Sequence, residues 1–253
     1  MSFNELEDKL IKLINILPGD VGVYIKFLET GETFVFEENK QFWAASVIKL
    51  PIVCCFFENV SKNLVSLNDL TLIKEENYVK GTGIVHLLDH AREYSHMDLV
   101  KLMIILSDNA ATNEIIDLLG WETINSWIQS QGLVSSSLKH KMMITAGRGP
   151  NLTTASDISI ILENLYYNKY PFSEDIINIL NEVKLRDRIP VFLPNDIVVA
   201  HKTGSLPQAV QDVGIVYSKN SFILSFLSDD QTNKMETRIT IAKIAKTCFD
   251  YSK

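Results

Sequence analysis

The sequence predicts an α+β fold, with an antiparallel sheet formed from both chain ends, flanked by helices, and an all-α lobe inserted between the two sheet segments. Two patterns predict it. Strand-like runs occur near the start, at Val21 to Leu28 and Thr33 to Glu37, and again near the end, at Ile197 to Thr203, Val213 to Tyr217 and Ser221 to Leu227. Between them the apolar residues recur at helical spacing. The expected division is a discontinuous sheet lobe, residues 1–44 and 190–253, and a helical lobe, residues 45–189, with the active site between them.

Each element follows from local pattern. Leu6, Leu10, Ile11, Leu13, Ile14 and Leu17 mark an amphipathic helix that stops at Pro18-Gly19. The first two strands form a hairpin across Glu29-Thr30-Gly31-Glu32. Val47 to Val60 is a helix whose leading run, to Phe57, must be buried. Leu64 to Asp89 carries few strand signals; its Lys80-Gly81-Thr82-Gly83 lacks the preceding strand that a phosphate-binding loop requires and reads as a tight turn. Helices follow at Met97 to Leu106, Ala110 to Leu119 and Trp121 to Gln131, then a polar connection from Gly132 to Asn151. Thr153, Thr154 or Ser156 is positioned to cap a helix that runs to Tyr167, and Phe172 to Leu185 is helical before Pro190 and Pro194 interrupt. A turn at Ser218-Lys219-Asn220 joins the last two strands, and a helix from Gln231 to Cys248 closes the chain.

Composition narrows the function classes. A chain of 253 residues with 46% hydrophobic and 22% charged residues suits one compact unit or two lobes sharing a core. The net charge of -7, with no Lys/Arg cluster, gives no footprint for nucleic acid or an anionic membrane. No run approaches the roughly 18 apolar residues of a membrane span. The stretch Met1 to Leu10 is acidic and amphipathic, so a cytoplasmic location is expected for the chain as it stands, and an exported one only if a signal has been removed. Cys54, Cys55 and Cys248 have neither metal nor disulfide spacing and read as core thiols; no cofactor is expected, and the expected state is a monomer.

The chemistry concentrates where Phe42 to Ser46 meets the buried helix. Ser46 and Lys49 are three residues apart and share a helix face, so the amine can reach the hydroxyl. A lysine kept neutral by burial or by a second cation can take the proton of a serine and make it a nucleophile. Taken alone, Ser46 is equally well explained as an N-cap. A second such pair, Ser136 and Lys139, lies in a polar run and reads as solvated loop. Two further triplets, Ser107-Asp108-Asn109 and Lys202-Thr203-Gly204, fall at element ends in the same order along the chain, and the three together match a known signature of acyl-transfer enzymes.

On these motifs the chain resembles the class A β-lactamase and penicillin-binding group of serine hydrolases. The resemblance extends over nearly the full length, through Gly22-Val23-Tyr24, Thr30-Gly31-Glu32, Ala45 to Pro51, Ser107 to Asn113, Asn151 to Thr154, His201 to Gly204 and Asp212-Val213-Gly214. It implies a β-lactam, or another small acyl amide or ester, as substrate. It implies that Ser46 attacks the carbonyl, Lys49 accepts its proton and Ser107 relays a proton to the leaving nitrogen. Asn109 would bind the substrate amide, and Lys202 and Thr203 its carboxylate, with Gly204 allowing close approach. The N–H groups of Ser46 and Ser205 would hold the oxyanion. Asp108 reads as a brace of its turn and His201 as a packed or surface residue on the opposite strand face from Lys202.

One departure is plain. Class A enzymes carry a glutamate between the Ser-Asp-Asn motif and the Thr-Thr helix that activates the deacylating water, whereas residues 124–156 contain no Asp or Glu. The corresponding loop, Leu138 to Pro150, is basic and short. Slow deacylation is the expectation, and a D-Ala-D-Ala peptidase or esterase of the penicillin-binding type, or a β-lactam-binding protein without turnover, are the alternatives.

Overall fold

Side-chain alternation along the strands decides the layering of this protein, whose computed structural model describes residues 1–145 and 147–253. Helix α1 (Phe3–Ile14) begins at a capping box in which Glu5 N donates to Ser2 Oγ and Ser2 N donates to Glu5 Oε2, and it buries Leu6, Leu10 and Ile14. Strands β1 (Asp20–Phe27) and β2 (Thr33–Phe36) form the expected hairpin. A two-residue strand β3 (Phe42–Trp43) leads to a 3-10 turn, Ala45–Ile48, and helix α2 (Lys49–Ser61). After β4 (Leu70–Leu72) and β5 (Glu93–Ser95) come α3 (His96–Ile105), α4 (Asn109–Leu119) and α5 (Trp121–Ser130). Strand β6 (Leu152–Thr153) precedes α6 (Ala155–Tyr166) and α7 (Ser173–Asn181). Strands β7 (Val199–Leu206), β8 (Ala209–Val216) and β9 (Phe222–Asp229) and helix α8 (Lys234–Tyr251) complete the chain.

The sheet runs β2-β1-β9-β8-β7 with every pairing antiparallel, so both chain ends build it as expected. Strand β1 is registered against β9 from Asp20 opposite Asp229 to Phe27 opposite Phe222. Val23, Ile25, Phe27, Leu224 and Phe226 belong to a core shared with α1 and α8. Ala200, Val213, Ile215, Ile223 and Leu227 alternate into a second core with the helices from α2 to α7. Each fully buried side chain of this size stabilises by about 1.5–3 kcal/mol. Helix α2 is buried from Lys49 through Phe57, which is why its sequence lacks a polar face there.

Several segments differ from the sequence reading. The pairs β3/β6 and β4/β5 are two or three residues long, below the length at which alternation can be recognised. Strand β7 runs on to Leu206 and turns through Pro207-Gln208 into β8, so Lys202-Thr203-Gly204 lies inside a strand at the sheet edge. Helix α7 ends at Asn181, short of Leu185, and α8 is shifted to Lys234–Tyr251. Ser136, read as part of a solvated loop, is buried: its hydroxyl donates to Asp157 Oδ2 at 2.7 Å and lies 2.8 Å from Thr153 Oγ1.

The turn at residues 80–83 belongs to a strap that Asp108 fastens to the head of α4. One carboxylate oxygen caps the helix by accepting from Ala111 N at 3.0 Å; the other accepts from Ile84 N at 2.7 Å and Val85 N at 2.9 Å. Gly83 has a φ of 101°, and a Cβ there would collide with this carboxylate. Asp108 thus braces its turn, as expected, and also closes a segment more than twenty residues away. Asp108→Ala removes a cap and leaves the Ile84 and Val85 N–H groups unpaired, the second of them buried, an expected loss of about 2–4 kcal/mol. Urea unfolding measures it, and an unchanged midpoint would mean that the strap is held by other groups.

Candidate active site

Ser46 lies in the 3-10 turn that leads into α2, half-buried, behind an Ala45 whose φ of 46° is left-handed. It caps neither helical segment: Ala44 precedes the turn, Ile48 precedes α2, and neither start has a side-chain cap bond. The N–H of Ser46 belongs to the first turn, where amides have no intrahelical acceptor. Lys49 opens α2 and is fully buried. Its amine donates to Ser107 O at 2.7 Å, Asn109 Oδ1 at 3.0 Å and Ser107 Oγ at 3.2 Å. The expected contact with Ser46 Oγ is not among its hydrogen bonds. Catalytic hydrogen bonds are commonly long in unliganded enzymes and tighten when substrate binds.

Ser107 is the point where three elements meet. Its φ of 55° is left-handed, a conformation that costs of order 1–3 kcal/mol outside glycine and that the surrounding bonds must hold. Lys202 Nζ donates to Ser107 Oγ at 3.0 Å and to Thr203 O at 3.0 Å. Two fully buried lysines therefore share one hydroxyl. Burial, then the neighbouring Lys202 charge, holds the Lys49 amine well below the ordinary lysine range, while Asp108 pulls the other way. Burial also pushes Lys202 down to about 7, against the pull of Asp212 and with the repulsion of Arg188.

Strand β7 brings its motif against the Ser46 turn because Gly204 has no side chain. A Cβ at Gly204 would stand 2.7 Å from Gln211 Oε1, 3.1 Å from Val47 Cγ2 and 3.2 Å from Ala45 Cβ. Leu206 and Ala209 flank a two-residue turn and exchange hydrogen bonds, so at the next pair the N–H of Ser205 points away from β8, off the sheet edge. The register of β8 agrees: Val210, opposite Ser205, directs its N–H and carbonyl to Ser228 Oγ on β9. Thr203 alternates to the other face from Lys202, alongside His201 and Ser205. On that face Arg188 is buried and donates to Ser205 Oγ at 2.6 Å and Gln211 O at 3.0 Å. His201 Nδ1 lies 2.9 Å from Asp212 Oδ1, fully buried, in keeping with a packing role.

The loop at 138–150 is pinned from three sides, although its Ala146 lies outside the described residues. Asn151 Oδ1 accepts from Lys139 N and His140 N. Asn113 brackets the backbone of Met142, accepting its N–H at 2.7 Å and donating to its carbonyl at 3.1 Å. Lys141 Nζ lies 2.6 Å from the Asp117 carboxylate. Met143 is exposed, and its side chain lies beside Gly81. His140 is tied through Nδ1 to Lys141 O at 2.7 Å.

Ser46, Lys49, Ser107, Asn109, Lys202 and Gly204 are thus brought together, with Thr203 and Ser205 at the same strand edge. Sequence reasoning missed Arg188 and Thr82; the latter's hydroxyl donates to Ser107 O at 2.7 Å. Thr82 stands in a segment read only as a tight turn and Arg188 in no motif, and the hydrogen-bond partners of both side chains are 17 to 27 residues away. Lys202 titrates at about 7 in the fold and at its ordinary value when unfolded, so between these the unfolded chain binds the extra proton and stability rises with pH. Below about pH 7 both states hold the proton and the buried charge opposes folding in full. Lys202→Met is therefore expected to stabilise the fold more at about pH 6 than at about pH 9 in urea unfolding. Equal changes at the two pH values would show that Lys202 does not titrate in this range.

A profile of the beta-lactamase enzyme family matches residues 5–252. Beta-lactamase BRO-1 of Moraxella catarrhalis is 23% identical over 249 residues, which cover 91% of this chain and 79% of the relative. The crystal structure of a beta-lactamase from Sphaerobacter thermophilus DSM 20745 has a TM-score of 0.91 at 25% identity, over 100% of this chain and 98% of that one. The structure of PBP-A, 24% identical, shares the fold with a TM-score of 0.91 over 98% of this chain and 96% of its own. With a match that runs from the first helix to the last, the chain belongs to the beta-lactamase enzyme family.

Proposed function

We propose that this protein is a serine hydrolase of class A β-lactamase type that opens β-lactam amides through an acyl-Ser46 intermediate, in a site between the sheet lobe and the helical lobe. The observation that carries the reading is the pair of fully buried lysines converging on Ser107 beside the Ser46 turn. Ser46 Oγ attacks the carbonyl carbon as its proton passes to the neutral amine of Lys49. The oxygen that becomes negative is held by the N–H groups of Ser46 and Ser205. When the C–N bond breaks, the nitrogen takes a proton from Ser107 Oγ, and Ser107 recovers one from the Lys49 ammonium, 3.2 Å away. Asn109 binds the substrate amide. A substrate carboxylate at the edge of β7 is flanked by Lys202 from one face and Thr203 from the other, with the buried Arg188 charge behind.

Deacylation is the slow step in this reading, because the loop at 138–150 supplies no carboxylate to activate water. The same loop favours a second reading, a D-Ala-D-Ala peptidase or esterase of the penicillin-binding type, in which the acyl-enzyme is passed to another acceptor. The fold shared with PBP-A is in keeping with it. Intact-mass spectrometry after mixing with a penicillin tests both. One adduct on wild type, mapped to Ser46, that persists for minutes or longer and is absent in Ser46→Ala is the expected result. No adduct on wild type, or one retained in Ser46→Ala, would remove Ser46 from the chemistry. Parallel turnover of a chromogenic cephalosporin, a D-Ala-D-Ala peptide and an aryl ester separates the two readings.

A further inference from the structure

Two of the three acceptors used by the Lys49 amine are shared with a second donor, and the third lies beside one. Ser107 O takes the Thr82 hydroxyl at 2.7 Å as well as Lys49, and Asn109 Oδ1 lies 3.3 Å from the same hydroxyl. Ser107 Oγ takes Lys202 in addition to Lys49. An ammonium needs all three acceptors at full strength, whereas a neutral amine has two N–H groups and a lone pair, so sharing penalises the charged form.

We infer that Thr82 is a positioning residue for acylation, which holds the Ser107 carbonyl in its left-handed turn and, by dividing the acceptors of Lys49, keeps that amine ready to take the Ser46 proton. The inference rests on the acyl-Ser46 reading. The backbone of Thr82 has a separate task, since its carbonyl accepts from Asn109 N at 3.1 Å, and a side-chain substitution leaves that bond in place. The charged groups acting on Lys49 are Lys202 from β7 and Asp108 from the head of α4, and neither is altered by changing Thr82. Without the hydroxyl, Ser107 O serves Lys49 alone, the ammonium gains, and a higher pH is needed to free the amine.

The test is the second-order rate at which a penicillin labels Ser46, followed by intact mass across the pH range, in wild type, Thr82→Val, Thr82→Ala and Thr82→Ser. The expected result is that Val and Ala move the rising limb of the profile up by about half to one pH unit. Labelling is then about 3- to 10-fold slower on the rising limb and within about twofold of wild type on the high-pH plateau, while Ser follows wild type. The two hydroxyl-free variants keep the test in hand if one fails to fold. Profiles that overlay wild type, that fall by one factor at every pH, or that shift to lower pH would overturn the role of Thr82 while leaving Ser46 as the nucleophile. A wild type that takes up no label at any pH would sink the acyl-Ser46 reading itself, and this inference with it.

Discussion

Two lysines buried side by side, with no salt bridge to either among the described residues, are the constraint that the rest of this site answers. A buried ammonium costs several kcal/mol unless it is fully hydrogen-bonded or gives up its proton. The chain supplies neutral oxygens where a carboxylate would be the cheaper partner. Ser107 offers its carbonyl and hydroxyl, Asn109 its amide oxygen and Thr203 its carbonyl. A carboxylate would fix both lysines as cations; neutral acceptors leave the proton count adjustable. The left-handed backbone at Ser107 is what aims both of its oxygens at Lys49 at once.

That arrangement explains features that look unrelated. Asp108 stands close enough to temper the Lys49 shift, yet its oxygens are committed to Ala111, Ile84 and Val85, so it is not free to take the lysine as a direct partner. Asp212 has the same relation to Lys202: it raises the lysine from a distance while its oxygens serve Ile189 N and His201. In each case a carboxylate that could have neutralised a lysine is occupied by amides and a ring nitrogen. The buried guanidinium of Arg188 adds a positive charge at the same strand edge, where the proposed function seats a substrate carboxylate.

The legible part of this architecture is the part encoded locally. Ser46 and Lys49 are three residues apart, and the Ser-Asp-Asn and Lys-Thr-Gly triplets are contiguous, so their chemistry can be read before their geometry is known. The sheet built from both ends was visible because Val21 to Leu28 and Ser221 to Leu227 are strands of ordinary length. The strap was not, because Lys80-Gly81-Thr82-Gly83 has the composition of any turn and its meaning comes from Ser107, Asp108 and Asn109. Ser136 was misjudged for a related reason: a serine in a polar run is normally solvated, and only the fold brings Asp157 and Thr153 to it. The Ser46–Lys49 spacing allowed a contact that the structure does not form, since helical proximity says nothing about competing acceptors on another helix.

The loop at 138–150 adds the last step. Its anchors are strong and specific, with both backbone groups of Met142 held by Asn113 and Lys141 paired to Asp117, so the want of a carboxylate is not the result of a loop that has come loose. The segment buries Met142 in the core of the helical lobe and sets Met143 beside Gly81, and it carries no carboxylate. The groups that make an acyl-enzyme and the group that destroys one are therefore physically separable in this fold. The first set depends on α2, α4 and β7, which the core fixes, and the second on a loop whose exposed positions, such as Met143, can change without disturbing that core. On the proposed acyl-Ser46 reading, a chain that keeps the first and lacks the second forms its covalent intermediate faster than it clears it.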